Sequence, residues 1–169
     1  MSERPPDAAP DRVSESAPEP APAPGAGPVQ PAIRVIMMPK DTNALGTIFG
    51  GIILSYIDQA GAVEGSRHVR GRLVTVAMNE VEFHAPVFVG DLVSFFTETL
   101  RRGRTSITVR VSVEAQRRHH GRAAGDFERA KVTEATLTFV HVDEHGNPTP
   151  LDQPTTMVGA HGTLLHSTE

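Results

Sequence analysis

The sequence predicts an α+β domain: one long apolar helix covered by an antiparallel β-sheet. Three observations carry that expectation. Phe49, Ile52, Ile53, Tyr56, Ile57, Ala60 and Val63 recur at spacings of three and four, the stripe of a single helix over about 49–68. Nearly everything after it is rich in β-branched and aromatic residues that alternate over strand-length runs. The turns between those runs are short enough to join antiparallel neighbours, so the helix is the natural cover for one sheet face.

Taken in order, residues 1–31 are Pro- and Ala-rich with scattered acids and almost no large apolar side chain. Such a segment cannot offset its own ordering entropy and reads as a disordered tail. The folded domain is expected over 32–150. Its first element, IRVIMM at 33–38, is a short apolar run stopped by Pro39, which suits a first or edge strand. PKDTNALGT is a loop by its Asp, Thr, Asn and Gly content, and the helix follows. LVTVAMNEVEFHAPVFVGD, 73–91, reads as strand up to Pro86 and then as a turn. DLVSFFTETLRRGRTSITVRVSVEAQ holds two alternating runs around RRGR, a long antiparallel hairpin. RRHHGRAAGDFERA is a second, polar turn, and KVTEATLTFVHVD is the last strand. From about Gly146 the chain is expected to fray, and 151–169 reads as a flexible extension. The helix covers only one sheet face, and edge strands are left without partners, so self-association is expected on structural grounds.

Composition narrows the function classes. With no Cys there is no disulfide, thiolate metal site or cysteine nucleophile. The formal net charge of -4 argues against a general nucleic-acid binder. No segment approaches the roughly 20 apolar residues of a membrane span, and the first residues lack the apolar run of a secretory signal and the Arg-rich pattern of a transit peptide. A cytoplasmic location is expected. His119 and His120 fall in a polar turn and His141 and His145 straddle a strand end, so no metal site is expected. His84 reads as structural. There is no GxSxG elbow and no P-loop.

One acid interrupts the apolar helix. Asp58 has Leu54, Gly61 and Ala62 as its helical neighbours, so its carboxylate is partly desolvated. It is either a structural partner for some donor or a general base or nucleophile. Gly50 and Gly51 stand where the helix begins, and their N–H groups are unhindered, unpaired and backed by the helix dipole, which suits an anion or an oxyanion. Eight residues separate Gly50 from Asp58, about 12 Å along a helix axis, so one helix cannot bring both to one carbonyl. An antiparallel helix from a second copy can, which implies two sites spanning a dimer interface. The basic clusters LRRGRTSI and QRRHHGR add guanidinium forks suited to phosphates; at Arg117 and Arg118 they equally suit a solubilised hairpin tip.

MPKDTNALGTIFGGIILSYIDQAGA, VTVAMNEVEFHAPVFVGD, GRTSITVRVSVEA and VTEATLTFVHVD together resemble the hot-dog-fold acyl-CoA thioesterases of the YciA-like type. The resemblance runs from about Arg34 to Pro150, with the four blocks in family order. It implies a long central helix wrapped by an antiparallel sheet, and hydrolysis of acyl-CoA to free acid and CoA without a cofactor. Asp58 would attack the thioester or activate water, and Gly50 would polarise the thioester carbonyl from the partner helix. Asn43 would be the loop asparagine of the same site, and Thr75 a strand hydroxyl that orients water or the carboxylate. Arg104, Thr105 and Ser106, with Gly51, would bind CoA. Thr47 stands where close relatives often have Asp, and Phe49 where some hot-dog thioesterases have His. The partners implied are acyl-CoA and further copies of the chain, as a homodimer, a tetramer or a hexamer. Two rivals keep the fold and change the activity: a hydratase or dehydratase acting on acyl thioesters, and a non-catalytic acyl-CoA-binding regulator.

Overall fold

The computed structural model of the chain describes residues 29–79, 81–118 and 127–153. The expected tail lies outside the described residues as far as position 28, as do His119, His120 and everything beyond 153. Strand β1 (Ile33–Ile36) leads through a 3₁₀ turn (Pro39–Asp41) and a loop into helix α1 (Gly50–Ser66). Strands β2 (Arg72–Asn79), β3 (Leu92–Arg102), β4 (Ser106–Arg118) and β5 (Phe127–Val142) follow. They form one sheet in the order β1-β3-β4-β5-β2, every neighbouring pair antiparallel. Helix α1 lies across β2, β3, β4 and β5, as the alternation and the helical stripe predict. Among the described residues no helix is long and apolar enough to cross a membrane.

The core sits between α1 and the inner face of the sheet. Central strand β4 sends Ile107, Val109, Val111, Val113 and Ala115 inward, all buried, and β3 adds Val93 and Phe95. Ala135, Leu137 and Phe139 of β5 complete the floor beneath Ile53, Ile57 and Ala60. The ends of the expected stripe differ: Phe49 and Val63 are exposed, and Gly61, Glu64 and Gly65 are buried instead. The reason is contact distance. A Cβ on Gly61 would stand 2.9 Å from the Phe139 ring, and one on Gly65 would stand 2.7 Å from Leu73 Cδ1, so the absence of side chains lets the helix settle close to the sheet.

Glu64 is an acid on the buried face. Its carboxylate accepts hydrogen bonds from Thr97 Oγ1 at 3.1 Å and Thr99 Oγ1 at 2.9 Å, and pairs with Arg67 at 3.0 Å. Burial pushes its pKa up, yet the hydroxyl donors, Arg67 and His68 together outweigh burial and hold the carboxyl below its ordinary value.

Two differences from the sequence reading have physical causes. Strand β2 stops at Asn79, well short of Pro86, because its pairing with β5 ends at Thr136; beyond it His84 gives its N–H to the Val132 carbonyl and the segment turns to cover the start of α1. Residues 147–151 do not fray: a tight turn with Gly146 at φ +86° brings them back along β5, and Leu151 is buried. The centre of the outer sheet face carries charge, with Arg110 paired to Glu98 and Glu134, while the exposed Val74 and Val76 leave apolar surface on edge strand β2.

Candidate active site

Asp58 lies on the third turn of α1, half-buried beside Ile57. Thr75 of β2 donates its hydroxyl to Asp58 Oδ1 at 2.6 Å, so the structure brings this expected pair together. Among the described residues Oδ2 accepts no hydrogen bond and keeps its lone pairs open. Strand geometry sets the approach. Thr75 pairs with Phe139, and the register shifts between Thr75 and Ala77, leaving Val76 as an extra residue. Leu73, Thr75 and Met78 consequently share the helix-facing side, and Val76 is pushed out toward solvent.

Gly50 is the first residue of α1, after Phe49 in extended conformation. The N–H groups of Gly50 and Gly51 meet no acceptor among the described residues, as expected of a helix start. A cavity of about 290 Å³ opens beside Gly50, walled by Ile53, Phe83, His84 and Val87. Phe83 and His84 were not legible as lining residues: they sit in a strand-like run, and only its early departure from the sheet carries them to the helix start.

Asn43 organises the loop before the helix. Its Oδ1 accepts the N–H of Leu45 at 2.8 Å and of Thr47 at 3.3 Å, and its Nδ2 donates to Thr47 Oγ1 at 2.8 Å. Gly46, at φ +81°, closes the turn, and the Phe49 N–H bonds the Asp41 carbonyl, so the loop is tied to the start of α1. One Nδ2 hydrogen of Asn43 is left over.

Arg104 and Thr105 form the turn between β3 and β4, and Ser106 opens β4. Because Ser106 pairs with Val140 and Arg72 with Val142, this turn lies at the sheet end where α1 finishes. Gly50 is at the other end, about 25 Å away by helix length. One chain therefore does not bring Gly50, Asp58 and Arg104 together. Arg117 is not available for a ligand: it grips buried Asp91 with two hydrogen bonds of 3.0 and 2.8 Å and lies 4.5 Å over the Phe88 ring. Among the described residues no group of three His, Asp or Glu side chains is placed to hold a metal.

Comparison with known proteins identifies this architecture. Residues 45–121 match the thioesterase superfamily. An uncharacterized acyl-CoA thioester hydrolase of Zymomonas mobilis is 41% identical over 119 residues, 70% of this chain and 76% of that one. The acyl-CoA thioester hydrolase YciA of Escherichia coli is 37% identical over 121 residues, 70% and 88% of the two chains. Among solved structures, a hexameric hotdog fold thioesterase of Campylobacter jejuni aligns with a TM-score of 0.67 at 41% identity, covering 73% of this chain and 90% of that one. A hexameric broad specificity acyl-coenzyme A thioesterase aligns with 0.66 at 37% identity, covering 76% and 84%. The chain belongs to the thioesterase superfamily, among its YciA-like acyl-CoA thioester hydrolases of hot-dog fold.

Proposed function

We propose that the protein hydrolyses acyl-CoA thioesters, consuming water and releasing the free carboxylic acid and CoA. The observation that carries this reading is the Asp58–Thr75 pair, one carboxylate oxygen fixed at 2.6 Å and the other open. Oδ2 takes a proton from water as it attacks the thioester carbonyl, or attacks that carbon itself to form an acyl-enzyme anhydride that water then cleaves. In either route negative charge builds on the carbonyl oxygen. The Gly50 N–H of a partner chain stabilises it, backed by the helix dipole.

Asn43 holds the loop that aims this N–H and offers its remaining Nδ2 hydrogen to the thioester or the water. Arg104, Thr105 and Ser106, with the Gly51 N–H, bind the phosphates of CoA. The separation of these parts within one chain supports an assembly of copies, with the site shared between them; the hexameric state of the related thioesterases supports one larger than a dimer. In this reading residues 32–150 form the catalytic domain in the cytoplasm, and 1–31 and 151–169 are appendages.

The test is thiol release from a panel of acyl-CoAs, with Asp58→Ala beside the wild type. Loss of at least about 10²–10³ in kcat, the scale seen on removal of a transition-state donor, is expected with CoA binding retained. Wild-type turnover by Asp58→Ala would remove the mechanism. One observation favours a second reading: His84 lines the cavity beside Gly50, where a hydratase would place a base. Loss of conjugated-thioester absorbance from an enoyl-CoA, with no thiol released, would identify that activity.

A further inference from the structure

The turn that carries Arg104 is held by a closed circuit of hydrogen bonds passing through His141. We propose that His141 is a positioning residue for CoA: it fixes the segment 147–151, and through that segment the backbone of Arg104. The proposal rests on the reading of this turn as the nucleotide anchor.

His141 is fully buried near the end of β5. Its N–H donates to the Thr105 carbonyl at 2.8 Å, and its own carbonyl accepts the Thr149 N–H at 2.9 Å. Its ring Nδ1 lies 2.9 Å from the Pro150 carbonyl. A carbonyl can only accept, so Nδ1 carries the hydrogen and the tautomer is set by this contact. Leu151, the next residue, gives its N–H to the Arg104 carbonyl at 2.9 Å. The path from His141 to Thr105, along the chain to Arg104, across to Leu151 and Pro150 and back to the His141 ring is complete. Both carbonyls of the turn are thus held, one by β5 and one by the returning segment.

That segment is itself set by a built turn. Asp143 Oδ1 accepts the N–H groups of His145 and Asn147 at 2.9 and 2.8 Å, and Oδ2 accepts Asn147 Nδ2 at 3.1 Å. Bonds from the Asn147 backbone and side chain hold the Asp143 carboxyl below its ordinary value. The Arg104 side chain is exposed, so without the circuit a ligand would have to order the turn at the moment of binding, at a cost to affinity.

The test compares an acyl-CoA with the same acyl group on pantetheine, which lacks the nucleotide. His141→Ala is expected to raise KM for the acyl-CoA about tenfold, leaving kcat and the pantetheine thioester constants unchanged. His141→Asn, whose amide can donate from nearly the same place, is expected to recover most of the loss. Leu151→Pro removes the N–H given to Arg104, keeps an apolar side chain at this buried position, and is expected to reproduce the selective rise, even where His141→Ala does not fold. An equal loss on both thioesters, or an unchanged acyl-CoA KM in Leu151→Pro, would overturn the proposal. Arg104→Ala separates the two readings. If it raises the acyl-CoA KM and the other variants do not, only the positioning role falls; if it has no effect, the nucleotide anchor falls and the positioning role with it. Wild-type protein that releases thiol from neither thioester would overturn the hydrolase reading itself.

Discussion

At Thr75 a valine keeps the shape and branching of the side chain and loses only the hydroxyl held against Asp58. A hydrogen bond to a charged group is worth about 1.5–3 kcal/mol, so Thr75→Val is expected to lower kcat about tenfold or more and to melt below wild type. Steady-state kinetics and thermal melts on one preparation check both halves. Glu64 tests electrostatics instead. Its folded carboxyl is held below its unfolded value of about 4.3, so the stabilisation is present above that value and disappears as pH falls through the folded one. Glu64→Gln is expected to be less stable than wild type at pH 7, on the order of 1–2 kcal/mol, with the gap closing below about pH 4; urea melts at both pH values would show it. Sequence made these two acids unequal. Asp58 is legible because it breaks an apolar run, and helical spacing alone places it at the margin. Glu64 is not, because the hydroxyls that satisfy it, Thr97 and Thr99, lie more than thirty residues later and meet it only across the sheet. Thr75 was reached through family resemblance, since no local pattern links it to an acid seventeen positions earlier.

Elements follow the same division between local and distant causes. The helix, the β3–β4 hairpin and the strand character of β5 were legible because each rests on its own periodicity. The end of β2 was not. Val81, Phe83 and Val87 have strand-like composition, but such propensity measures fitness for a half-buried surface, and here that surface is the start of α1 and its core. The helix glycines give a sharper test. Alanine gains about 1 kcal/mol of helix propensity over glycine, and overpacking a core costs about 1–3 kcal/mol. At Gly61 the new methyl meets the buried Phe139 ring at 2.9 Å, so Gly61→Ala is expected to melt lower than wild type. At Gly51 it meets the exposed ring of Phe49, which can swing aside, so Gly51→Ala is expected to melt at or above wild type. Reversal of that order in paired thermal melts would refute the packing argument.

On the scale of the whole molecule, a shared site makes a prediction no single chain can. Gly50→Pro removes the proposed oxyanion N–H at the first helical position, where proline is tolerated, and the extended Phe49 suits a residue before proline. Gly50→Pro and Asp58→Ala are each expected to be nearly inactive alone. Mixed at equal amounts after unfolding and refolding, they are expected to recover about a quarter of wild-type activity, because about half the dimers are mixed and one of two sites in each is intact. No recovery would place Gly50 and Asp58 in separate functions. The proposed sharing of the site rests on the distance between the two residues along one helix, which the sequence gives; an arrangement of copies is not legible there, because contacts between copies leave no periodic trace. The glycine contacts also bear on how freely this protein could be adapted. Thr75 is flanked by the residues that press on them: its cross-strand partner Phe139 fills the space over Gly61, and Leu73 fills that over Gly65. The gap that seats the helix is therefore the gap across which a short threonine hydroxyl reaches the acid. Selection for heat tolerance, which readily trades glycine for alanine in helices, finds no gain here: each added methyl would strain the core and move Asp58 off the Thr75 hydroxyl together. Turnover and thermal endurance are coupled at these two positions, and improvement in one has to be sought elsewhere in the chain.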